Sequence, residues 1–134
     1  MKLGHQITGQ YLIVVALAVS TQFILETTYE SASITPKQVW LTLDWFSLAG
    51  FMLCCGFNLA YMRGCVRGDA DVWKKFSSST AFYASVILTL AFVHNFVASL
   101  AAGSDDLLFW KFINATQVPL FFATGMRLLG SHRD

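Results

Sequence analysis

Four apolar runs, each close to the length a helix needs to cross a lipid bilayer, dominate this chain. About 20 apolar residues span the roughly 30 Å hydrocarbon layer as an α-helix. The runs extend from about Gly9 to Leu25, Val39 to Met62, Ser79 to Ala102 and Leu107 to Leu129. Lipid offers no partner to an open backbone N–H or C=O, so such a chain crosses as helices. The expected fold is all-α: a single integral membrane domain over residues 1–134, with four transmembrane helices in an up-down antiparallel arrangement.

Composition supports this expectation. The chain is 55% hydrophobic but only 13% charged, about half the charge of a typical soluble domain. A soluble fold of this size lacks the charge to cover its surface. The net charge of +1 also argues against nucleic acid as a partner, because phosphate neutralisation requires a basic patch.

The three cysteines, Cys54, Cys55 and Cys65, have no second pair or histidine at metal-ligand spacing. Buried cysteine packs as a small hydrophobe, and that is the expected role of Cys54 and Cys55. Lys2 and the apolar run Tyr11–Val19 resemble a signal peptide, with Ala18, Val19 and Ser20 at a cleavage-like position. The segment is read as a retained first span.

Three connections separate the runs. Polar residues around Ser33 and Pro36 mark the first. The stretch Arg63–Phe76 marks the second and longest. Gly103-Ser-Asp-Asp106 reads as a tight turn, making the last two helices a hairpin. Lys and Arg accumulate on the cytoplasmic side of membrane proteins. With the N-terminus inside, the inner side holds Lys2, Arg63, Arg67, Lys74, Lys75, Arg127 and Arg133. The outer connections hold Lys37 against Glu26, Glu30, Asp105 and Asp106. Both termini are therefore expected inside, in a bacterial inner membrane or an organellar equivalent. Trp40, Trp45 and Trp110 near the outer boundary, and Trp73, Phe76 and Tyr61 near the inner one, suit interfacial anchors.

Polar residues within the spans carry the functional signal, because an ionisable group at mid-bilayer costs about 2.5–3.5 kcal/mol on insertion scales. Gln22 and Glu26 share a face of the first helix, and Asp44 lies in the second. His94 lies in the third, and Lys111, Asn114 and Gln117 follow at threes in the fourth. Gln22, Asp44, His94 and Lys111 fall about four to eight residues inside their outer ends, on the order of 6–12 Å deep. The expectation is one polar layer in the outer half, with Asp44 and Lys111 as a charge pair and His94 as a titratable neighbour. A structural alternative is that these groups satisfy one another or snorkel to the interface.

No cofactor is expected from this chain alone. His5 and His132 lie at the opposite side from His94, so two axial haem ligands do not meet. Haem, a quinone or a bound lipid would have to be shared with a partner. The same separation excludes a metal site, and no nucleotide loop or HExxH motif occurs. Catalytic residues are not assigned, and an enzyme is the less favoured reading.

Small residues offer packing surfaces. Gly50, Gly56 and Ala60 descend the second helix, and Ala91 and Ala98 the third. Gly56 and Ala60 have the spacing that lets helices approach closely, within the bundle or between copies. A four-helix chain without a soluble domain suits a role in the membrane plane. The leading expectation is an accessory or structural subunit of a larger membrane complex. The alternative is a small dimeric transporter or channel whose outer polar layer is the site. The expected partners are lipids and other membrane subunits or a second copy.

Overall fold

The computed structural model describes residues 2–29, 35–103 and 106–131. Glu30, Ser33, Ser104, Asp105, His132 and Arg133 lie outside the described residues, as does the side chain of Lys2. The chain forms four helices: α1 (Lys2–Leu25), α2 (Pro36–Arg67), α3 (Val72–Ala102) and α4 (Leu107–Gly130). Three of them are long and apolar enough to cross a membrane, over Leu3–Leu25, Pro36–Arg67 and Val72–Ala101. The fourth is 24 residues long, but Lys111, Asn114, Gln117 and Arg127 dilute its apolar character.

Local chemistry sets the helix starts. Thr35 and Gln38 form a reciprocal capping box at the start of α2, with Pro36 in the first turn. Asp71 caps α3 by accepting from Lys74 N–H at 2.8 Å, and Asp106 caps α4 by accepting from Leu108 and Phe109 N–H. Gly103, with φ of 61°, ends α3 in the left-handed conformation that glycine adopts without steric cost.

These caps correct one boundary. The second connection is not the long polar segment Arg63–Phe76 but residues 68–71. Helix hydrogen bonding continues through Arg67, where Gly68 N–H still reaches Gly64 O, and resumes at Val72 under the Asp71 cap. Hydropathy falls before the hydrogen-bond ladder does. The 32-residue α2 and 31-residue α3 thus run for roughly 45 Å or more at 1.5 Å per residue, well beyond a hydrocarbon layer.

The helices alternate in direction. Each of α1 and α4, and each of α2 and α3, lies along the other most closely; α1–α2 and α3–α4 are looser neighbours. Parallel helices α2 and α4 meet across the middle. Ser47–Gln117 and Cys54–Thr124 are joined at a sequence offset of 70, and the Phe51–Phe121 ring pair keeps that offset. Ser47, Phe51, Cys54 and Asn58 on α2 face Gln117, Phe121, Thr124 and Leu128 on α4, alternately three and four residues apart. This spacing is that of a coiled-coil seam.

Close approach is built in by glycine. A Cβ on Gly9 would lie 2.9 Å from the Gly125 carbonyl oxygen, and one on Gly125 would lie 2.8 Å from that of Gly9. Gly50 leaves room for the Phe121 ring, which a Cβ there would meet at 2.5 Å. Ala91 and Ala98 are half-buried, and Ala91 packs on the core. Gly56 and Ala60 instead lie on the outward face, with nothing within 4 Å of a Cβ at Gly56. Of the two uses expected for that pair, only contact outside the chain remains open to it.

Polarity is distributed inside-out relative to a soluble bundle. Asn58, Ser85 and Gln117 are completely buried, whereas Leu3, Ile24, Leu90 and Leu108 are largely exposed. A central apolar layer of Phe51, Phe92 and Phe121, with ring centroids 4.9–5.1 Å apart, divides two polar regions along the seam.

Candidate functional site

The two ends of the bundle differ in charge. Arg63, Arg67, Lys74, Lys75 and Arg127 gather where α2 and α4 finish, hereafter the basic end. At the other end α1 and α3 finish and α2 and α4 begin. A cavity of about 470 Å³ opens there, within the range of small-molecule pockets.

Each helix contributes to this cavity. Phe23 and Glu26 come from the end of α1, Ser99 from the end of α3, and Lys37, Trp40, Leu41 and Asp44 from the first turns of α2. The first two turns of α4 supply Leu107, Trp110, Lys111 and Asn114. Helical rise orders these groups by depth: Asp44 lies roughly 12 Å and Asn114 roughly 10 Å along their helices, whereas Lys37 and Leu107 stand at the rim. Trp40 Nε1 donates to Glu26 Oε2 at 2.7 Å, holding the indole and the carboxylate as one wall.

Asn114 gives the floor its particular chemistry. The residue is only 6% exposed, lines the cavity, and its side-chain amide makes no hydrogen bond among the described residues. Its amide faces the cavity and can donate to or accept from a group that enters. Below it, Gln117 Nε2 donates to Ser47 Oγ at 2.7 Å, while the Gln117 carbonyl oxygen is buried and has no partner among the described residues. Gln22 is buried beneath Glu26; its carbonyl accepts from Tyr29 OH at 2.6 Å and its Nε2 has no partner among the described residues.

Of the polar layer expected from sequence, Glu26, Asp44, Lys111 and Asn114 therefore come to one cavity. Gln22 and Gln117 sit buried beside and below it. His94 does not join them: it is exposed on α3 and absent from the cavity lining. Its neighbour Asn95 is buried instead and pins the start of α4, exchanging hydrogen bonds with the Asp106 backbone at 3.2 and 3.3 Å. Adjacent helical residues diverge by about 100°, so only one of the two can face inward.

Sequence reasoning missed a second polar assembly toward the basic end. Asn58 Nδ2 donates to Thr124 Oγ1 and Cys54 Sγ, each at 3.3 Å, while Asn58 Oδ1 accepts from Arg127 at 2.6 Å. The Arg127 guanidinium also lies 4.1 Å from the Tyr61 ring centroid, a cation–π contact. Cys54, Asn58 and Tyr61 recur on one face of α2, and Thr124 and Arg127 on one face of α4. That spacing was the available signal. Both ends of the Asn58 amide are used, so this network ties helices together and offers no open binding group.

Among the described residues no group of His, Cys, Asp and Glu could hold a metal ion. Comparison with family models, curated proteins and solved structures finds no match for this chain.

Proposed function

We propose that this chain is a four-span integral membrane protein that binds a small polar solute in the cavity between its helix ends, as a transporter's recognition site does. The observation that carries the reading is a cavity lined by Asp44, Lys111 and the largely buried Asn114, whose amide makes no hydrogen bond among the described residues. Costly polar groups in a membrane bundle usually face a partner or a water-filled cavity.

The apolar exterior supports insertion, and α4 is included because its side-chain amides turn inward. Asn114 and Gln117 are buried while Leu108, Phe112, Phe122 and Met126 face out. The collection of Arg and Lys at the basic end supports placing that end, with both termini, on the cytoplasmic or equivalent side.

The test is solute binding to the purified full-length protein with Trp45 and Trp73 replaced by phenylalanine, so that Trp40 and Trp110 report on the cavity. A saturable fluorescence change with a polar solute, lost in Asp44→Asn, supports the reading. No response to charged, zwitterionic and neutral polar solutes would overturn it. Orientation is read by impermeant thiol labelling of Lys37→Cys and Arg67→Cys in a cysteine-free chain, which should label from opposite sides.

A second reading, an accessory subunit of a larger membrane complex, is favoured by the central layer of Phe51, Phe92 and Phe121. These rings are fully buried and close the bundle below the cavity. Under that reading the protein co-purifies with stoichiometric membrane partners and the isolated chain binds no solute.

A further inference from the structure

We propose that the cavity selects a zwitterionic group, taking its ammonium end inward and its anionic end at the rim. This rests on the solute-binding reading above and names the class of ligand.

Four charged side chains line the cavity, Glu26, Lys37, Asp44 and Lys111, so the lining has no net charge. Their depths differ. Asp44 is the deepest charge, two turns into α2, and shares the cavity floor with Asn114 on α4. Lys37 is at the first turn of α2, and Lys111 is one turn into α4, exposed. Glu26, the other acid, lies nearer the rim, where it accepts from the Trp40 indole, and Asp44 likewise has an interaction of its own. The cavity is therefore negative at its floor and net positive toward its rim.

A simple anion would meet Asp44, and a simple cation would have to pass two lysines. A ligand carrying both charges matches both ends. Trp40 and Trp110 line the intervening wall, and indole faces attract ammonium groups, quaternary ones most visibly. The Asn114 amide supplies a carbonyl acceptor for an N–H or a donor for a ligand oxygen. The volume, about 470 Å³, accommodates a compact zwitterion. Such a group reaches the cavity from two sources: a free solute in water, or the headgroup of a zwitterionic phospholipid at the bilayer surface.

The probes are phosphocholine, choline chloride and inorganic phosphate, titrated onto the full-length protein in phosphatidylglycerol nanodiscs and followed by Trp40 and Trp110 fluorescence. Phosphocholine should bind at least tenfold more tightly than choline or phosphate alone. Asp44→Asn and Lys111→Gln should each weaken it by tenfold or more, while His94→Gln, outside the cavity, should leave it unchanged. Thermal unfolding of each variant separates loss of binding from loss of fold.

Repeating the titration in phosphatidylcholine nanodiscs distinguishes the sources. Phosphocholine binding that disappears there indicates that the lipid headgroup occupies the site; binding that persists indicates a free solute. Equal affinity for choline, phosphate and phosphocholine overturns the zwitterion assignment. Binding of only a non-zwitterionic polar solute also overturns it, yet leaves the solute-binding reading intact. No binding of any solute overturns both.

Discussion

Gln117 on α4 gives one hydrogen to Ser47 Oγ on α2 at 2.7 Å, while its own carbonyl oxygen is buried with no partner among the described residues. The pair joins two parallel helices at the layer between the cavity and the aromatic centre. Ser47→Ala should cost about 1–3 kcal/mol, because it leaves both ends of a buried amide unsatisfied. Replacing both partners, as Ser47→Ala with Gln117→Leu, should be close to neutral. Denaturant unfolding in detergent measures this, and a double variant no more stable than Ser47→Ala alone would contradict it.

Glycine tolerance should follow helix geometry. Gly9→Ala and Gly125→Ala each place a methyl carbon against a facing backbone oxygen that cannot turn away. Overpacking of this kind typically costs about 1–3 kcal/mol. Gly56→Ala meets open space and should be neutral or stabilising by up to about 1 kcal/mol from helix propensity. Thermal midpoints of the three variants provide the check; equal loss at all three positions would rule out the packing account.

Coupling between Asn58 and Arg127 is also measurable. Both partners are needed to satisfy the Asn58 carbonyl and the guanidinium, so the single alanine variants should be non-additive. A double-mutant cycle should return a coupling of about 0.5–3 kcal/mol, the range for residues in one network. Additive effects would mean that the 2.6 Å contact contributes nothing to stability.

Thiol accessibility offers a fourth test. Cys54 is fully buried and donates to Thr124 Oγ1, whereas the adjacent Cys55 is half-buried near Thr89. In single-cysteine chains, Cys54 should react with maleimide only as fast as the bundle opens. Cys55 should react ahead of it under native conditions. Labelling of Cys54 at the rate of Cys55 would refute its placement in the seam.

Hydropathy made the number of helices legible, whereas the capping roles of Asp71 and Asp106 emerge only from their hydrogen bonds to the first backbone N–H groups of α3 and α4. Counting residues from the helix ends put Gln22, Asp44, His94 and Lys111 in one layer, of which Asp44 and Lys111 line the cavity. The choice between His94 and Asn95 could not be made that way, because apolar helices carry little periodic signal to say which face turns inward. The Asn58–Arg127 network was hidden for a related reason. Arg127 counted as a boundary charge, and only side-chain reach from the last turn of α4 shows it bonded within the bundle. Helix ends were misjudged where arginines and lysines lowered hydropathy without interrupting backbone hydrogen bonds.

The tight fit between Gly9 and Gly125 has a consequence for how the molecule is assembled. Of these four helices, α1 is made first and finds its closest neighbour in α4, made after the other three. Until α4 is made, the glycine face of α1 has no counterpart, and α2 and α3 can settle along each other without it. Closure of the bundle, and with it the cavity that needs residues from all four helices, therefore waits until α4 has been made. A chain cut short before α4 would retain most of its apolar length yet possess neither the central seam nor a complete binding site.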